Sequence, residues 1–286
     1  MKVVAAMSGG VDSSVIAGLL KEQGHDVIGV HMKLHDAPEP DNSGGPVKRC
    51  CGLTDALDAK RVAESLEIPF YVMDLRTAFR QSVMEPFVNT YVAGSTPNPC
   101  ILCNGVLKFQ VLMQRAKALG ASHLATGHYA QITRNGLLGP AVDKDKDQSY
   151  FLFPIPKDVL KSTLFPLGGL TKTEVRSMAE RFSLSVAHKP ESQEICFIPD
   201  DDHGRFIAEQ RPELDGGGSI IDKDGQVLGQ HDGFWRFTPG QRRGLGVSLG
   251  RPAYVIKVDA ESKTVTLGEN SDLTHASVMA EKANWL

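Results

Sequence analysis

A glycine- and serine-rich segment near the amino terminus carries the groups best suited to hold a phosphate. Residues 7–14 read Met-Ser-Gly-Gly-Val-Asp-Ser-Ser. The paired glycines allow a sharp turn with backbone N–H groups facing a ligand, and the serine hydroxyls add donors. A helix that follows would contribute the positive end of its dipole. The segment predicts an anion site; the alternative is an ordinary turn in which Asp12 and Ser13 merely cap a helix.

The flanks of this segment fit a phosphate site. Residues 2–7 are apolar after Lys2 and partly β-branched, as in a buried parallel strand. After Asp12 the apolar side chains recur at helical spacing until Gly24, which favours a helix stop. No G-x-x-x-x-G-K-[ST] string occurs in the chain, so a Walker A loop is excluded. The segment resembles the PP-loop of ATP pyrophosphatases, which implies splitting of ATP into AMP and pyrophosphate.

Three cysteines are the second candidate for chemistry. Cys100 and Cys103 lie in the string Pro-Asn-Pro-Cys-Ile-Leu-Cys-Asn at 97–104, before a helical run. Near a helix start the dipole would stabilise a thiolate, and a lowered thiol pKa suits a sulfur-transferring nucleophile. Cys196 is remote in sequence, on a segment (192–198) that could fold back across the same crevice. Five cysteines in a long chain are catalytic, metal-binding or buried rather than a disulfide framework.

The composition is that of an ordinary soluble globular protein. The chain has 286 residues, of which 41% are hydrophobic and 23% charged, enough for one large domain and a smaller one. No apolar run is long enough for a membrane span or a signal-peptide core, which predicts a cytoplasmic protein with no membrane partner. A net charge of −3 gives no overall attraction to nucleic acid, so any RNA contact must use local basic patches.

The order of elements predicts an α/β fold, a doubly wound parallel sheet of the PP-loop ATP pyrophosphatase type, followed by a small β-rich domain. We predict strands at 26–32, 70–75 and 123–126 and helices at 54–66, 105–119 and 171–182, the last with a capping box. Ligands of such sheets lie beyond the carboxyl ends of the strands. We therefore expect the segment 7–14, Met32 and Gly127-His128 around one crevice.

Past the glycine triplet at 216–218 the apolar pattern shifts toward a period of two. Paired strands are predicted at 253–258 and 264–267, with a turn signal at Asp224-Gly225. We predict an ATP-binding catalytic domain at 1–205, a central β domain at 206–270, and at 271–286 the start of a barrel that the chain does not complete.

Strings along the whole chain resemble the MnmA family of tRNA-specific 2-thiouridylases. They are AMSGGVDSS at 6–14, HMK at 31–33, RCCG at 49–52, PNPCILCN at 97–104, ATGHYA at 125–130, KDQSYFL at 146–152, LFPLGGLTKTEVR at 164–176, SQEICFI at 192–198 and TPGQRRGLG at 238–246. The resemblance implies that ATP adenylates O2 of the wobble uridine in glutamate, glutamine and lysine tRNAs. It also implies that a persulfide on Cys196 delivers the sulfur, while Cys103 assists as a nucleophile and can end in a disulfide with Cys196. The persulfide would come from a cysteine desulfurase or a sulfur relay protein.

The resemblance also implies which residues bind each substrate. The residues expected to contact ATP are Ala6, Met7, Ser8, Gly9, Gly10, Val11, Asp12, Ser13, Met32 and Gly127. Asn98, Pro99 and Cys100 would surround the target base. The residues expected to touch tRNA elsewhere are His128, Lys146, Asp147 and Gln148. Asp12 is the expected Mg²⁺ ligand, because a hard cation prefers carboxylate oxygen.

Two departures from the family pattern leave alternatives open. Many members carry aspartate where this chain has Cys100, so Cys100, Cys103 and Cys196 could be three thiolate ligands of a 4Fe-4S cluster that holds an extra sulfide. The alternative is a persulfide alone. Family members also usually continue into a C-terminal β-barrel, whereas this chain stops near Trp285, which implies a truncated product.

The sequence also allows other interpretations. One rival function is a PP-loop amidating ligase acting on a small substrate, although amide formation needs no thiols. Another is a non-catalytic RNA-binding or iron–sulfur module. The adjacent Cys50 and Cys51 would form a strained disulfide, which favours a structural role.

Overall fold

A computed structural model of the chain describes residues 1–36, 53–191, 195–198, 200–281 and 283–285. The RCCG string with Cys50 and Cys51, and the first part of the SQEICFI string, lie outside the described residues. The chain divides into two compact units, the first formed by Met1–Val83, Pro99–Asp200 and Asn284–Leu286, the second by Met84–Asn98 and Asp201–Ala283. The boundaries at 205 and 270 stay predictions.

The described residues form eleven strands and nine α-helices. The strands are β1 Lys2–Ala6, β2 Asp26–Lys33, β3 Phe70–Asp74, β4 His123–Ala125, β5 Gln131–Ile132, β6 Leu138–Gly139, β7 Thr163–Leu164, β8 Gly218–Ile221, β9 Val227–His231, β10 Tyr254–Asp259 and β11 Thr264–Gly268. The helices are α1 Val11–Glu22, α2 Leu53–Ser65, α3 Arg76–Phe79, α4 Glu85–Val92, α5 Pro99–Leu102, α6 Leu112–Ala118, α7 Lys157–Leu160, α8 Lys172–Arg181 and α9 His203–Gln210. Two π-helical segments, Arg80–Met84 and Cys103–Val111, continue α3 and α5, and short 3₁₀ turns occupy Ser149–Leu152, Phe234–Arg236 and Asn270–Leu273.

The first unit is built on a five-stranded parallel sheet in the order β3-β2-β1-β4-β7. Strand β1 lies at its centre, where Val3, Val4 and Ala5 have no exposed surface. Helix α1 covers one face, and the helix formed by α5, the second π-helical segment and α6 covers the other. Because β2 and β3 extend the sheet on one side of β1 and β4 on the other, the topological switch point lies between β1 and β4.

Most predicted elements of this unit are confirmed, but the helix predicted at 105–119 begins earlier, at Pro99, and is π-helical over Cys103–Val111 before α6 ends at Ala118. Strands β2, β3 and β4 and helices α2 and α8 lie within about one or two residues of their predicted bounds. The capping box of α8 is present: the Thr171 hydroxyl accepts from the Glu174 backbone N–H, and the Glu174 carboxylate accepts from that of Thr171. Gly24 and Gly120 follow their helices at φ +78° and +76°, as helix-stopping glycines do.

The second unit contains a four-stranded sheet in the order β10-β11-β8-β9. The predicted strand pair is confirmed, since β10 and β11 pair antiparallel. The turn at Asp224-Gly225 joins β8 to β9, with Gly225 at φ +84°. Helices α4 and α9, which belong to this unit, were not predicted from the sequence. Within the described ranges, no helix combines the length and the apolar character needed to cross a bilayer.

Candidate active site

The glycine–serine loop lies at the switch point, between the end of β1 and the start of α1. Gly9 adopts φ +83°, and a Cβ there would lie 2.3 Å from the Asp55 carbonyl oxygen, so only glycine fits. Gly10 is the N-cap residue and no side chain in the described chain caps the helix there. Asp12 and Ser13 lie inside the first turn, so the alternative in which they cap the helix is wrong. The first N–H groups of α1 are left for a ligand.

Hydroxyl contacts within the loop fix its shape. The Ser13 hydroxyl accepts from the backbone N–H and from the hydroxyl of Ser8, both at 3.1 Å. It donates to the Gly10 carbonyl oxygen at 3.1 Å, and the buried Ser14 hydroxyl donates to the same oxygen at 2.8 Å. The loop is thus held by its own side chains in the form that a phosphate would meet.

Two side chains from other segments hold carbonyl groups of the loop. Lys189 donates to the Gly9 carbonyl oxygen at 3.0 Å and pairs with Asp55 and Asp58, each at 2.7 Å. His31 Nδ1–H donates to the Met7 carbonyl oxygen at 2.9 Å, because a carbonyl oxygen can only accept. Burial lowers the pKa of His31, which favours the neutral ring. Burial alone would also lower the pKa of Lys189, but the two carboxylates outweigh it and the pKa is raised. The Gly9 carbonyl is therefore bound by a protein cation and the Met7 carbonyl by a histidine N–H.

Two adjoining cavities of the first unit meet at the loop. The larger, of about 450 Å³, is lined by Ala6, Met7, Ser8, Asp12, Ser13, Met32, Leu34, Phe79, Val83, Pro99, Cys100, Cys103, Asn104, Lys108, Thr126, Gly127, His128, Gln148, Phe151, Ile195, Cys196 and Phe197. The smaller, of about 240 Å³, is lined by Ser8, Gly10, Val11, Asp12, Ser13, Asp55, Tyr129, Lys146, Gln148, Lys172, Lys189, Pro190 and Glu191. All the residues expected to contact ATP line one or the other, except Gly9. Gly127 lies so close to the loop that a Cβ there would be 3.0 Å from the Ser13 nitrogen.

The smaller cavity holds a charged network that the sequence did not reveal. Lys172 Nζ lies 2.7 Å from Asp12 Oδ1, which also accepts from the Tyr129 hydroxyl at 3.0 Å. Glu191 accepts from Lys172 at 3.0 Å and from Lys146 at 2.7 Å. The hydrogen bond to Glu191 raises the pKa of Lys146, and burial together with the nearby Asp12 charge raises that of Tyr129. The members of this network come from segments that are far apart in the sequence, so their contacts could not be seen in it.

The expected lowered pKa of Cys103 is wrong. The helix that carries Cys103 begins at Pro99, so the thiol lies more than one turn inside it rather than at its amino end. The residue is 8% exposed, and this burial raises the pKa of the Cys103 thiol. Lys108 acts in the opposite direction through its positive charge, and the neighbouring Cys100 adds to the rise. Cys103 is therefore a protonated thiol in this state.

The structure brings Cys100, Cys103 and Cys196 to the larger cavity. No disulfide joins any of these three, the cysteines that the structure describes. Among the described residues, no group of three or more His, Cys, Asp or Glu side chains is arranged to hold a metal ion. The three-thiolate ligand set for a 4Fe-4S cluster is therefore unsupported.

The residues expected to touch tRNA lie in different surroundings. Asn98 belongs to the second unit and lines neither cavity. Lys146 and Gln148 line the smaller cavity. The Asp147 carboxylate accepts from the backbone N–H groups of Ala141 and Ser149, which holds the turn between them. Their contacts with tRNA stay predictions.

His128 lines the larger cavity, and each of its two ring nitrogens lies near a polar side chain of the same unit. Its Nδ1 is 2.8 Å from the Thr126 hydroxyl oxygen, and its Nε2 is 3.4 Å from Lys108 Nζ. An ammonium group only donates, so Nε2 accepts and Nδ1–H donates to Thr126. Burial, and then the Lys108 charge, hold the pKa of His128 well below its usual value.

This neutral His128 predicts a pH-dependent stability. The unfolded chain binds a proton at His128 with the ordinary pKa and the folded chain does not, so lowering the pH favours unfolding. Between pH 7 and 5.5, the loss in free energy of unfolding should be about 1 kcal/mol smaller in His128→Gln than in the wild type. Urea titrations at both pH values measure it, with His275→Gln, at an exposed position, as control. Equal losses in wild type and His128→Gln would contradict a neutral His128 ring in the folded chain.

A parallel sheet, a glycine–serine loop at its switch point and a cavity shared by that loop and by thiols define an α/β ATP pyrophosphatase equipped for sulfur chemistry. Residues 1–200 match the family model of the tRNA methyl transferase HUP domain, and residues 204–269 that of the tRNA methyl transferase PRC-barrel domain. The tRNA-specific 2-thiouridylase MnmA of Geotalea uraniireducens is 50% identical over 290 residues, 100% of this chain and 77% of that protein. That of Heliobacterium modesticaldum is 49% identical over 292 residues, 99% of this chain and 74% of that protein. The chain belongs to the MnmA family of tRNA-specific 2-thiouridylases.

These relatives do not favour an amidating ligase or a non-catalytic module. Among solved structures, a 4-thiouridine synthetase in complex with RNA and ATP has a TM-score of 0.44 at 16% identity, covering 74% of this chain and 50% of that one. The NMN synthetase of Francisella tularensis has a TM-score of 0.40 at 18% identity, covering 67% and 66%. Scores of this size carry no weight for function, which follows from the family.

Proposed function

We propose that this chain catalyses the ATP-dependent 2-thiolation of the wobble uridine in glutamate, glutamine and lysine tRNAs. One observation supports this most strongly: Cys103 and Cys196 line the same cavity as the PP-loop, Met32 and Gly127. The group that activates the base and the sulfur that replaces its oxygen can then act on one bound uridine. The family membership supplies the substrate class.

The first step is activation of the base. Uridine O2 attacks the α-phosphorus of ATP, the bond to the bridging oxygen breaks, and pyrophosphate leaves. The O2 atom then departs in AMP rather than as hydroxide, which makes it a good leaving group. The Asp12 carboxylate, 31% exposed beside the PP-loop, suits Mg²⁺ together with phosphate oxygens, and the ion would neutralise charge on the phosphates.

Sulfur transfer follows in three steps, and a reduction then restores the cysteines. The Cys196 thiolate attacks the outer sulfur of a donor persulfide, which gives Cys196–S–SH and releases the donor as a thiolate. The outer sulfur attacks C2 of the adenylated uridine and AMP leaves. The Cys103 thiolate then attacks Sγ of Cys196, which releases the 2-thiouridine sulfur and forms a Cys103–Cys196 disulfide. A thiol reductant restores both cysteines with two electrons.

The protonation state of Cys103 fits a nucleophile that acts late. Burial raises the pKa of its thiol, so the proton must leave before Cys103 attacks. Lys108, which lines the same cavity, lowers the pKa through its charge. A buried thiol beside an ammonium is protected from premature reaction with the Cys196 persulfide until the substrate changes its surroundings.

The remaining roles are proposed on the family resemblance. Asn98, Pro99 and Cys100 would surround the target base. Further tRNA contacts would come from His128, Lys146, Asp147 and Gln148. The sulfur donor would be a cysteine desulfurase or a relay protein, and the cytoplasmic location stays a prediction.

The test is direct formation of 2-thiouridine. The chain, purified without oxygen, is incubated with ATP, Mg²⁺ and unmodified glutamate tRNA, and the nucleosides are analysed by mass spectrometry. One reaction receives a cysteine desulfurase with cysteine as persulfide source, and a parallel one receives sulfide alone. We expect ATP-dependent 2-thiouridine with the persulfide source; no product from either donor, under conditions in which a longer MnmA relative is active, would overturn the proposal.

A further inference from the structure

The smaller cavity contains charges that the sulfur chemistry does not use. It shares Ser8, Asp12, Ser13 and Gln148 with the larger cavity, so it continues from the PP-loop away from the cysteines. Its acids are Asp12, Asp55 and Glu191 and its lysines are Lys146, Lys172 and Lys189. The larger cavity, with its many apolar side chains, suits a nucleoside and a base. The smaller one suits the charged tail of a nucleotide.

The Lys172 side chain is held firmly at the loop. Lys172 is the first residue of α8, and its backbone N–H donates to Asp143 at 2.8 Å. Its side chain is 12% exposed, and Nζ lies 2.7 Å from Asp12 in the first turn of α1. An ammonium has three donors, so Nζ can keep Asp12 and still bind a phosphate oxygen.

The two neighbouring lysines are placed differently. Lys189 is bound to the Gly9 carbonyl oxygen and to Asp55 and Asp58, which fixes the back of the loop. The side chain of Lys146 is 33% exposed, and within the described residues its one ion pair is with Glu191. Lys172 is thus the lysine that contacts α1 itself.

Glu191 supplies a negative charge next to Lys172, where a phosphate could lie. Its carboxylate lies 3.0 Å from Lys172 Nζ, and its pKa is lowered because its hydrogen bonds to Lys146 and Lys172 outweigh the effect of burial. A polyphosphate carries more negative charge than one carboxylate and can replace Glu191 as the partner of Lys172.

We propose that Lys172 binds the β- and γ-phosphates of ATP and the pyrophosphate that leaves. It would supply from the start of α8 the cation that a Walker A loop carries within its own sequence. The proposal rests on the proposed function only in taking ATP as the substrate. Glu191 holds the ammonium until the nucleotide arrives.

The test compares nucleotides that differ in these phosphates. In Lys172→Met the affinity for ATP should fall about 10- to 100-fold, the loss of one charge-assisted phosphate contact, while the affinity for AMP stays that of the wild type. Lys172→Arg should retain part of the preference for ATP. Titration calorimetry on the full chain measures ATP, AMP and pyrophosphate, with Lys161→Met, an exposed lysine of the same unit, as control.

Several outcomes would overturn the proposal. Equal losses for ATP and AMP would mean that Lys172 only positions Asp12 and the loop. An unchanged ATP affinity, or a wild type that binds ATP no more tightly than AMP, would contradict it as well. If Lys172→Met does not fold, Lys172→Gln keeps a donor for Asp12 and serves in its place. The titrations contain no tRNA and no sulfur donor, so failure to form 2-thiouridine would count against the proposed function alone.

Discussion

Replacing Cys196 by serine is expected to abolish thiolation while ATP cleavage continues. A serine hydroxyl fills the same space in the cavity but cannot carry a persulfide. Removal of a covalent nucleophile should lower 2-thiouridine formation by at least about 1,000-fold. Adenylation of the uridine at the PP-loop does not involve the Cys196 thiol. The variant should therefore still release pyrophosphate in the presence of tRNA. Nucleoside mass spectrometry and a pyrophosphate assay on the same reactions measure the two outcomes.

Cys100→Ser is the matched control, because Cys100 lines the same cavity. In the persulfide mechanism Cys100 does not carry the sulfur that is transferred, so its replacement should leave measurable thiolation. Should Cys100→Ser lose activity as completely as Cys196→Ser, and should the purified protein contain iron and sulfide, a three-thiolate cluster would replace the persulfide mechanism.

Lys189→Met is expected to weaken both the fold and the use of ATP. The change removes the ammonium from Asp55, whose side chain is 5% exposed, and from the Gly9 carbonyl oxygen. Breaking a buried ion pair is strongly destabilising, and with Lys189 26% exposed we expect a loss of about 3 kcal/mol in free energy of unfolding. Without Lys189 the PP-loop also loses the contact that holds the Gly9 carbonyl group, so the affinity for ATP should fall. Urea titration and calorimetry with ATP measure the two effects.

A double-variant cycle separates the ion pair from other effects. Asp55→Asn removes the buried charge that Lys189→Met leaves behind, so the double variant should be more stable than Lys189→Met alone. Lys161→Met, at an exposed site, should change the free energy of unfolding by no more than about 0.5 kcal/mol. Additive losses in the cycle would show that Lys189 does not act through Asp55.

Features that depend on residues close together in the sequence could be predicted from it. The PP-loop, the capping box of Thr171 and Glu174, and the antiparallel strands β10 and β11 each depend on neighbours within a few residues or on a short turn. The strand-end rule for parallel sheets correctly brought Met32 and Gly127 to the loop.

Features that depend on distant partners could not be predicted. Lys172 and Asp12 are 160 residues apart, and Lys189 and Gly9 are 180 residues apart. Each contact exists only because α8 and the chain beyond it return to the carboxyl end of β1. The prediction of a lowered pKa for the Cys103 thiol failed because the helix begins at Pro99, earlier than the sequence indicated, and because other segments bury the thiol.

The most direct test of the central claim is to map the disulfide after one turnover. Chain loaded with persulfide at Cys196 is mixed with ATP and unmodified tRNA without reductant, quenched with an alkylating reagent and digested for mass spectrometry. We expect a disulfide that joins the Cys103 and Cys196 peptides, in an amount equal to the 2-thiouridine formed. Formation of 2-thiouridine with both cysteines recovered as alkylated thiols would contradict the account.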